Sequence, residues 1–529
     1  MIKEIAKKYA LTAVKYGISL VLMALVWKTL HVKTYLLGGV LELAVIFLVS
    51  NMLLAKPVAG NIINGLLLLF FNIQQAVLFF GTTYVSTVML SNLASIEDLQ
   101  GKAVFYIGAV VLVLVITFLP LKRIPWDKVK EARVLALVLF VYLVVALFLG
   151  KRGYTPYSAY MELIRDEIAM RQTSDIAPEE AGAMFYKEGI CDGVSKPANL
   201  PAKPNVILIF TEGLSQSIVE DPRQVMPNVA ALEAKSLYFN NYFNHTFATY
   251  RGLIGQLYSG YQDINESSNS LISLQSILKE QGYRTSFINP EPDNPEFTEY
   301  LNHLGFDEVV GSVEQIANGQ TNYFSDKESY EMLFEHCLEQ QAAGEPFFTA
   351  IYTFGTHASL DSMDEKFGDG KDTELNKFYD VDHQLGVFLE KYENSDLAKD
   401  TIIVYTADHA TYADLYFMQA FPDYVRADEI VDEMPLMIYY PGIKAEQVNV
   451  YGRNSLDLAP TLLDYLDISA PNYFLGTSLY DPEPNAFDTL ANQENHYVTT
   501  KYGIIEHDIP EQEMAWFSDQ LKIYYKAKE

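Results

Sequence analysis

PNVILIFTEGLS, residues 204–215, is a run of five unbroken β-prone apolar residues closed by Thr211, a carboxylate and a glycine. A run that short and that uniformly apolar reads as a strand buried on both faces, as in a parallel sheet covered by helices. Similar runs recur downstream at Tyr283 to Ile288, Phe347 to Thr353, Ile402 to Thr406 and Leu436 to Tyr440, separated by helical stretches. That alternation predicts an α/β domain with a mostly parallel sheet over residues 204–529. About 330 residues suffice for one large core.

In open α/β sheets the ligand site lies beyond the carboxyl ends of the strands. The residues there are Glu212 after VILIFT, His357 after FFTAIYTFGT, and Asp408 with His409 after TIIVYTA. Two carboxylates and an imidazole suit one divalent ion, Mn or Zn. Singly, each has a structural explanation: Glu212 as a helix cap, Asp408 as a turn residue, His409 as a satisfied surface histidine. Equivalent positions at three strand ends favour a shared ion instead. FNHTFATYRGLIGQLYSGY, residues 243–261, adds hydroxyls at Thr246 and Thr249 ahead of a helical stretch. A threonine at a helix N-terminus gains from the dipole, and metal coordination lowers its hydroxyl pKa toward a competent nucleophile. Thr249 as a simple helix cap is the structural alternative.

Upstream the composition changes. Residues 1–152 hold 15 Lys and Arg against 6 Asp and Glu, leaving 23 against 61 for the remainder, so that one part is basic and the other strongly acidic within a net charge of −29. The basic part carries five apolar runs: Leu11 to Leu30, Tyr35 to Leu54, Ile62 to Phe80, Val104 to Leu121 and Val134 to Leu149. A helix needs about 20 apolar residues to span the hydrocarbon, so the expectation is a five-helix transmembrane bundle over residues 1–150. Lys and Arg bias in the short loops favours an N-terminus inside, and five spans then put the acidic domain outside the cytoplasm. That acidity argues against nucleic acid as a partner. Tyr154, Tyr157 and Tyr160 with MELIRDEIAMRQ predict a juxtamembrane helix with interfacial tyrosines, and residues 151–203 form that helix and a linker. Cys191 and Cys337 have a spacing that does not reveal whether they pair.

Taken in order, PNVILIFTEGLS, MPNVAALEAKSLYFNNYF, the threonine segment, GTHA, YTADHA, NSLDLAPTLLDYLDI and FLGTSLY resemble the membrane-anchored members of the alkaline phosphatase and sulfatase superfamily, which include lipoteichoic acid synthases and bacterial phosphoethanolamine transferases. The resemblance covers nearly the whole chain. It implies that Glu212, Thr249, Asp408 and His409 hold one divalent metal and that Thr249 attacks phosphorus. Gly252 three residues later and Ser259-Gly260 closing the helix favour Thr249 over Thr246. It further implies that His357 contacts phosphate or leaving group. Where this chain departs from the family, Asp414, Asn289 or Arg251 are the residues able to substitute at the phosphate-binding edge.

The implied function is a phosphotransferase of the bacterial plasma membrane, multi-pass with its catalytic domain extracytoplasmic. It would move phosphoethanolamine or glycerol phosphate from a phospholipid donor to an envelope glycan or lipid through a phospho-threonine. Two departures bear on the headgroup. INPEPDNPEFTEYLNHLGFDEV lacks the Trp-x-Arg of lipoteichoic acid synthases, and no histidine follows between Ala410 and Met434 where phosphoethanolamine transferases carry one. A phosphodiesterase-type hydrolase is the enzymatic alternative. A sulfatase is disfavoured, because no formylglycine-forming Cys-x-Pro-x-Arg sequence lies near Thr249. An inactive membrane scaffold or flippase is the alternative of another class, disfavoured by how few ionisable groups the spans hold besides Lys15, Lys28 and Glu42.

Overall fold

The computed structural model describes residues 2–30, 33–81, 84–86, 103–124, 133–134, 137–141, 144, 155–170, 175–262, 269–316, 322–358, 360–493 and 496–528. The chain divides into two compact units, Met1–Arg171 with Ala413–Tyr416, and Gln172–Tyr412 with Phe417–Glu529.

In the first unit, helices α1 (Ile2–Leu30), α2 (Lys33–Leu53) and α3 (Pro57–Gly81) contain the stretches Tyr9–Lys28, Tyr35–Leu53 and Pro57–Phe79, each long and apolar enough to cross a membrane. These are three of the five expected spans. The fourth run carries the helix Ala103–Thr117, whose described part starts at the edge of the described residues. The fifth, Val134 to Leu149, lies mostly outside the described residues. Polar groups join the helices where water is excluded: Asn64 of α3 donates to Tyr16 of α1 at 2.6 Å and to Ser50 of α2 at 3.0 Å. Lys15 donates to the Leu119 carbonyl at 3.0 Å, and Glu42 accepts from the Thr155 hydroxyl and the Tyr157 amide.

The expected juxtamembrane helix is present as Pro156–Met170. Its tyrosines do something other than serve as headgroup anchors alone. The Tyr157 and Tyr160 hydroxyls donate to the Leu67 and Phe70 carbonyls of α3 at 2.8 and 3.1 Å, which fastens this helix along α3. Tyr154 lies outside the described residues.

The second unit is built on eight strands: β1 (Asn205–Thr211), β2 (Leu237–Asn240), β3 (Arg284–Ile288), β4 (Glu308–Val310), β5 (Phe347–Thr353), β6 (Thr401–Ala407), β7 (Leu436–Tyr439) and β8 (Glu446–Asn449), in the order β4-β3-β5-β1-β6-β7-β2-β8. Every pair from β4 to β6 is parallel, and β7 runs antiparallel to both its neighbours. β1, β5 and β6 are buried at all seven positions, which is why their sequences are continuous apolar runs rather than alternating ones. β2, β4 and β8 escape sequence reading because they are three or four residues long and β8 is largely exposed, so neither periodicity nor apolar length marks them. A separate hairpin pairs β9 (Leu490–Gln493) with β10 (His496–Thr499).

Helices cover the sheet. Helix Asp326–Ala343 packs on β5 and on helix Thr373–Glu393. It opens with a capping box, in which Ser325 and Glu328 satisfy each other's amides at 2.7 and 3.2 Å, and closes on Gly344 at φ +81°. Cys337, on this helix, is fully buried, and neither it nor Cys191 forms a disulfide.

The NSLDLAPTLLDYLDI and FLGTSLY segments meet around Arg453. Its guanidinium donates to Asp457 at 2.7 Å and to the Thr477 carbonyl at 2.9 Å, and lies 3.4 Å from Asp488. Both carboxylates are fully buried, and burial pushes Asp457 well above the usual carboxylate range despite the neighbouring Arg453. Removing the cation strands two buried acids. Arg453→Ala is therefore expected to destabilise the second unit by about 3–5 kcal/mol, read as a lower thermal midpoint of the full chain in detergent; an unchanged midpoint would show that the ion cluster is not structural.

Candidate metal centre

The register of the sheet builds the site. Thr211 of β1 pairs with Ala407 of β6 on one side and Thr353 of β5 on the other. The next residues along β1 and β6, Glu212 and Asp408, therefore emerge side by side, followed by His409. Single ligand atoms of Glu212, Asp408 and His409 lie within 4.8 Å of one another, and all three residues are buried. His409 Nε2 is 3.5 Å from both Glu212 Oε1 and Asp408 Oδ2.

Each ligand is oriented by a second partner. Asp408 Oδ1 accepts the Gly213 and His409 amides, both at 2.8 Å, while its Oδ2 is buried without a hydrogen-bond donor. His409 Nδ1 is 2.6 Å from the Ala410 carbonyl, which places the proton on Nδ1 and leaves the Nε2 lone pair facing the carboxylates. The Phe247 ring packs on His409 with centroids 4.6 Å apart. Glu212 Oε2 accepts from the Tyr352 hydroxyl at 2.6 Å and the Thr249 hydroxyl at 2.9 Å.

Burial and the adjoining Glu212 carboxylate push Asp408 well above the ordinary carboxylate range. Burial also opposes ionisation of Glu212, while the hydrogen bond from the Tyr352 hydroxyl favours it. Burial lowers His409 despite the opposing Glu212 carboxylate, so the imidazole is neutral, the form that ligates. Two buried carboxylates, an imidazole lone pair between them and a donorless carboxylate oxygen make up a donor set fitted to a divalent cation.

Thr249 is the first residue of helix Thr249–Tyr258. The preceding Ala248 has φ +82°, a left-handed conformation unfavourable for a residue with a Cβ. The helix is locked to the end of β6: Gln256 donates to the Ala407 and Asp408 carbonyls, each at 3.0 Å, and a Cβ on Gly252 would stand 2.3 Å from the Asp408 carbonyl oxygen. Only glycine permits this approach. Thr246 is buried three residues upstream, with its carbonyl accepting from Asn244 at 2.7 Å.

His357 lies beyond β5, its ring stacked on Phe354 with centroids 5.0 Å apart and its Nδ1 buried without a hydrogen bond among the described residues. The preceding Thr356 hydroxyl donates to the Glu212 carbonyl at 2.6 Å, tying this turn to the end of β1. Arg251 is buried on the threonine helix, where its charge faces His245, whose imidazole burial brings down to about 3. Asn289 is buried with its amide donating to Thr298 at 2.9 Å and its carbonyl oxygen accepting from Glu291 N.

Sequence reasoning missed three contributors. Tyr352 was hidden because it belongs to a strand, and only the β1–β5 register sets it beside Glu212. Arg426 donates to the Thr411 carbonyl two residues past His409, from a loop with no motif. Gln256 sits mid-helix, where nothing local distinguishes it.

Residues 204–468 match the family model described as Sulfatase. Among curated proteins, the chain is 23% identical over 343 residues to an ulvan-active sulfatase of Formosa agariphila, covering 54% of this chain and 67% of that protein. Two solved structures share the fold. One is a protein in the alkaline phosphatase superfamily from Vibrio parahaemolyticus, at 17% identity and TM-score 0.52, covering 68% of this chain and 97% of that one. The other is the integral membrane lipooligosaccharide phosphoethanolamine transferase A from Neisseria meningitidis, at 15% identity and TM-score 0.54, covering 90% of this chain and 97% of that one. With the family model matched from the start of β1 through the NSLDLAPTLLDYLDI segment, the chain belongs to the sulfatase family of enzymes, on an alkaline phosphatase-like fold.

Proposed function

We propose that this chain is a metal-dependent phosphotransferase that moves a phospho-alcohol, phosphoethanolamine or glycerol phosphate, from a membrane phospholipid to an envelope glycan or lipid, with Thr249 as nucleophile. The observation that carries this reading is the Thr249 hydroxyl donating at 2.9 Å to Glu212, itself one of three side chains grouped closely enough to hold one divalent ion. Mn and Zn both suit those donors. A threonine at this position, in place of the cysteine or serine that becomes formylglycine, favours phosphoryl over sulfuryl chemistry. Three apolar helices, together with a likeness to the Neisseria transferase over 90% of the chain, support a bacterial plasma-membrane location with the acidic domain outside the cytoplasm.

Two displacements account for turnover. In the first, Thr249 Oγ1 forms a bond to phosphorus as the bond to the lipid glycerol oxygen breaks, and diacylglycerol leaves with the proton that Thr249 gives up. In the second, an acceptor hydroxyl or amine attacks the same phosphorus and Thr249 is regenerated. Glu212, as the acceptor of the Thr249 hydrogen bond, aims the hydroxyl. His357 is assigned to the phosphate or leaving group, Arg426 joins it as the cation whose charge bears on His409, and Arg251 is the further candidate. When bound, a divalent ion held by Glu212, Thr249, Asp408 and His409 neutralises phosphate charge and lowers the threonine pKa. Water in place of the acceptor would make the same site a phosphodiesterase.

Metal content and lipid chemistry test this reading separately. Glu212→Gln and Gly252→Ala should each reduce bound Mn or Zn in chelator-stripped, reloaded protein by tenfold or more, roughly the loss seen when metal-site geometry is disturbed. Affinity should rise with pH, because Asp408 must surrender its proton to ligate; pH-independent binding would exclude this carboxylate. Intact-mass measurement after incubation with phosphatidylethanolamine or phosphatidylglycerol should find the headgroup phosphate on Thr249 and none on Thr249→Ala. Release of free phospho-alcohol without acceptor dependence would favour hydrolysis.

A further inference from the structure

A second cluster of ligand-type side chains lies outside the site above. Asp428 belongs to the loop before β7, His496 opens β10, and His507 follows the segment bridged to β10 through Thr499 and Glu506. One oxygen, Asp428 Oδ2, faces both imidazoles, 3.0 Å from His496 Nε2 and 3.4 Å from His507 Nδ1. All three atoms fall within 4.8 Å of one another. The rings are nearly parallel, 25° apart with centroids at 6.0 Å.

His496 Nε2 and Asp428 Oδ2 are themselves within hydrogen-bond distance. Asp428 Oδ1 is already used, accepting the Ile430 and Val431 amides at 2.8 and 3.1 Å, so Oδ2 alone is turned to the histidines. His507 Nε2 is 3.4 Å from the Ala427 carbonyl, and with its proton there Nδ1 presents a lone pair. A lone pair facing a carboxylate oxygen at 3.4 Å is repulsive unless a proton or a metal cation lies between them. Ligands about 2.0–2.1 Å from a tetrahedral ion stand roughly 3.3 Å apart, close to the two observed separations. The Asp428 side chain is 3% exposed and that of His507 is 42%, so the carboxylate is fixed while the open side admits an ion and a solvent ligand.

We propose that Asp428, His496 and His507 form a second divalent-cation site of zinc type, separate from Glu212, Asp408 and His409, with three protein ligands and an open fourth position. It would clamp the loop that carries Arg426 to the β9–β10 hairpin. Arg426 in turn holds the Thr411 carbonyl, so the clamp steadies the chain two residues past His409. The assignment stands on its own geometry and does not depend on the transferase reading.

The test is zinc stoichiometry of the full chain in detergent, stripped with chelator, reloaded with zinc and measured by elemental mass spectrometry. Wild type is expected to hold two ions. His507→Ala, at an exposed position, and Glu212→Gln should each hold one, and the double variant none. A single ion lost with His507→Ala and kept in Glu212→Gln would support this site and overturn the other; a single ion lost only in Glu212→Gln would overturn this one. Two ions retained in His507→Ala would also refute it. Cobalt in the Glu212→Gln background gives an independent readout: a visible tetrahedral absorption band abolished by His507→Ala supports the assignment, and a band unaffected by it does not. If the cluster is only a protonated ion pair, no band forms.

Discussion

Two acids buried side by side are the constraint around which the second unit is arranged. The parallel register of β1 and β6 leaves Glu212 and Asp408 no way to emerge apart, and their mutual repulsion in a water-poor setting must be offset locally. The offsets are all visible. Two backbone amides bond one oxygen of Asp408, Tyr352 and Thr249 bond one oxygen of Glu212, and a neutral imidazole sits against both acids. What these groups do not supply is a full positive charge in contact with the pair. A cation there completes the electrostatics, which is why the donor set reads as a metal centre rather than a catalytic dyad.

The threonine helix is positioned with comparable economy of space. Gly252 brings its backbone against the Asp408 carbonyl, Gln256 ties it to the last two carbonyls around the end of β6, and Ala248 accepts a left-handed φ so that the helix can begin at Thr249. A residue in that conformation costs about 1–3 kcal/mol. The tight packing behind it supplies the means to hold it. Strain at the residue before the proposed nucleophile fits a site where orientation matters more than local stability.

The resemblance in sequence and the likeness in fold meet at different depths. Among the described residues, the family landmarks NSLDLAPTLLDYLDI and FLGTSLY contribute no side chain to the candidate metal centre. Their order reflects the buried Arg453 cluster, where Asp457, Thr477 and Asp488 converge on one guanidinium. Gly476 belongs to the same cluster, since a Cβ there would stand 2.5 Å from the Leu456 carbonyl. Such landmarks identify the fold because they maintain it. The candidate metal ligands lie instead at the strand ends and the proposed nucleophile on the threonine helix.

From the amino-acid order alone came the apolar runs, hence the membrane-type helices and the central buried strands, and the rule that loops after parallel strands carry function, hence Glu212, His357, Asp408 and His409. These are local properties: strand burial and helix length follow from neighbours in the chain. Only the family's spacing distinguishes Thr249 from Thr246, and the sequence carries five apolar runs where the described residues form three helices long and apolar enough to cross a membrane. Tyr352, Gln256, Arg426 and the Asp428, His496 and His507 cluster emerged only with tertiary structure. Their partners are tens to hundreds of residues away in sequence, and strand order and register, which no short window encodes, decide which side chains meet.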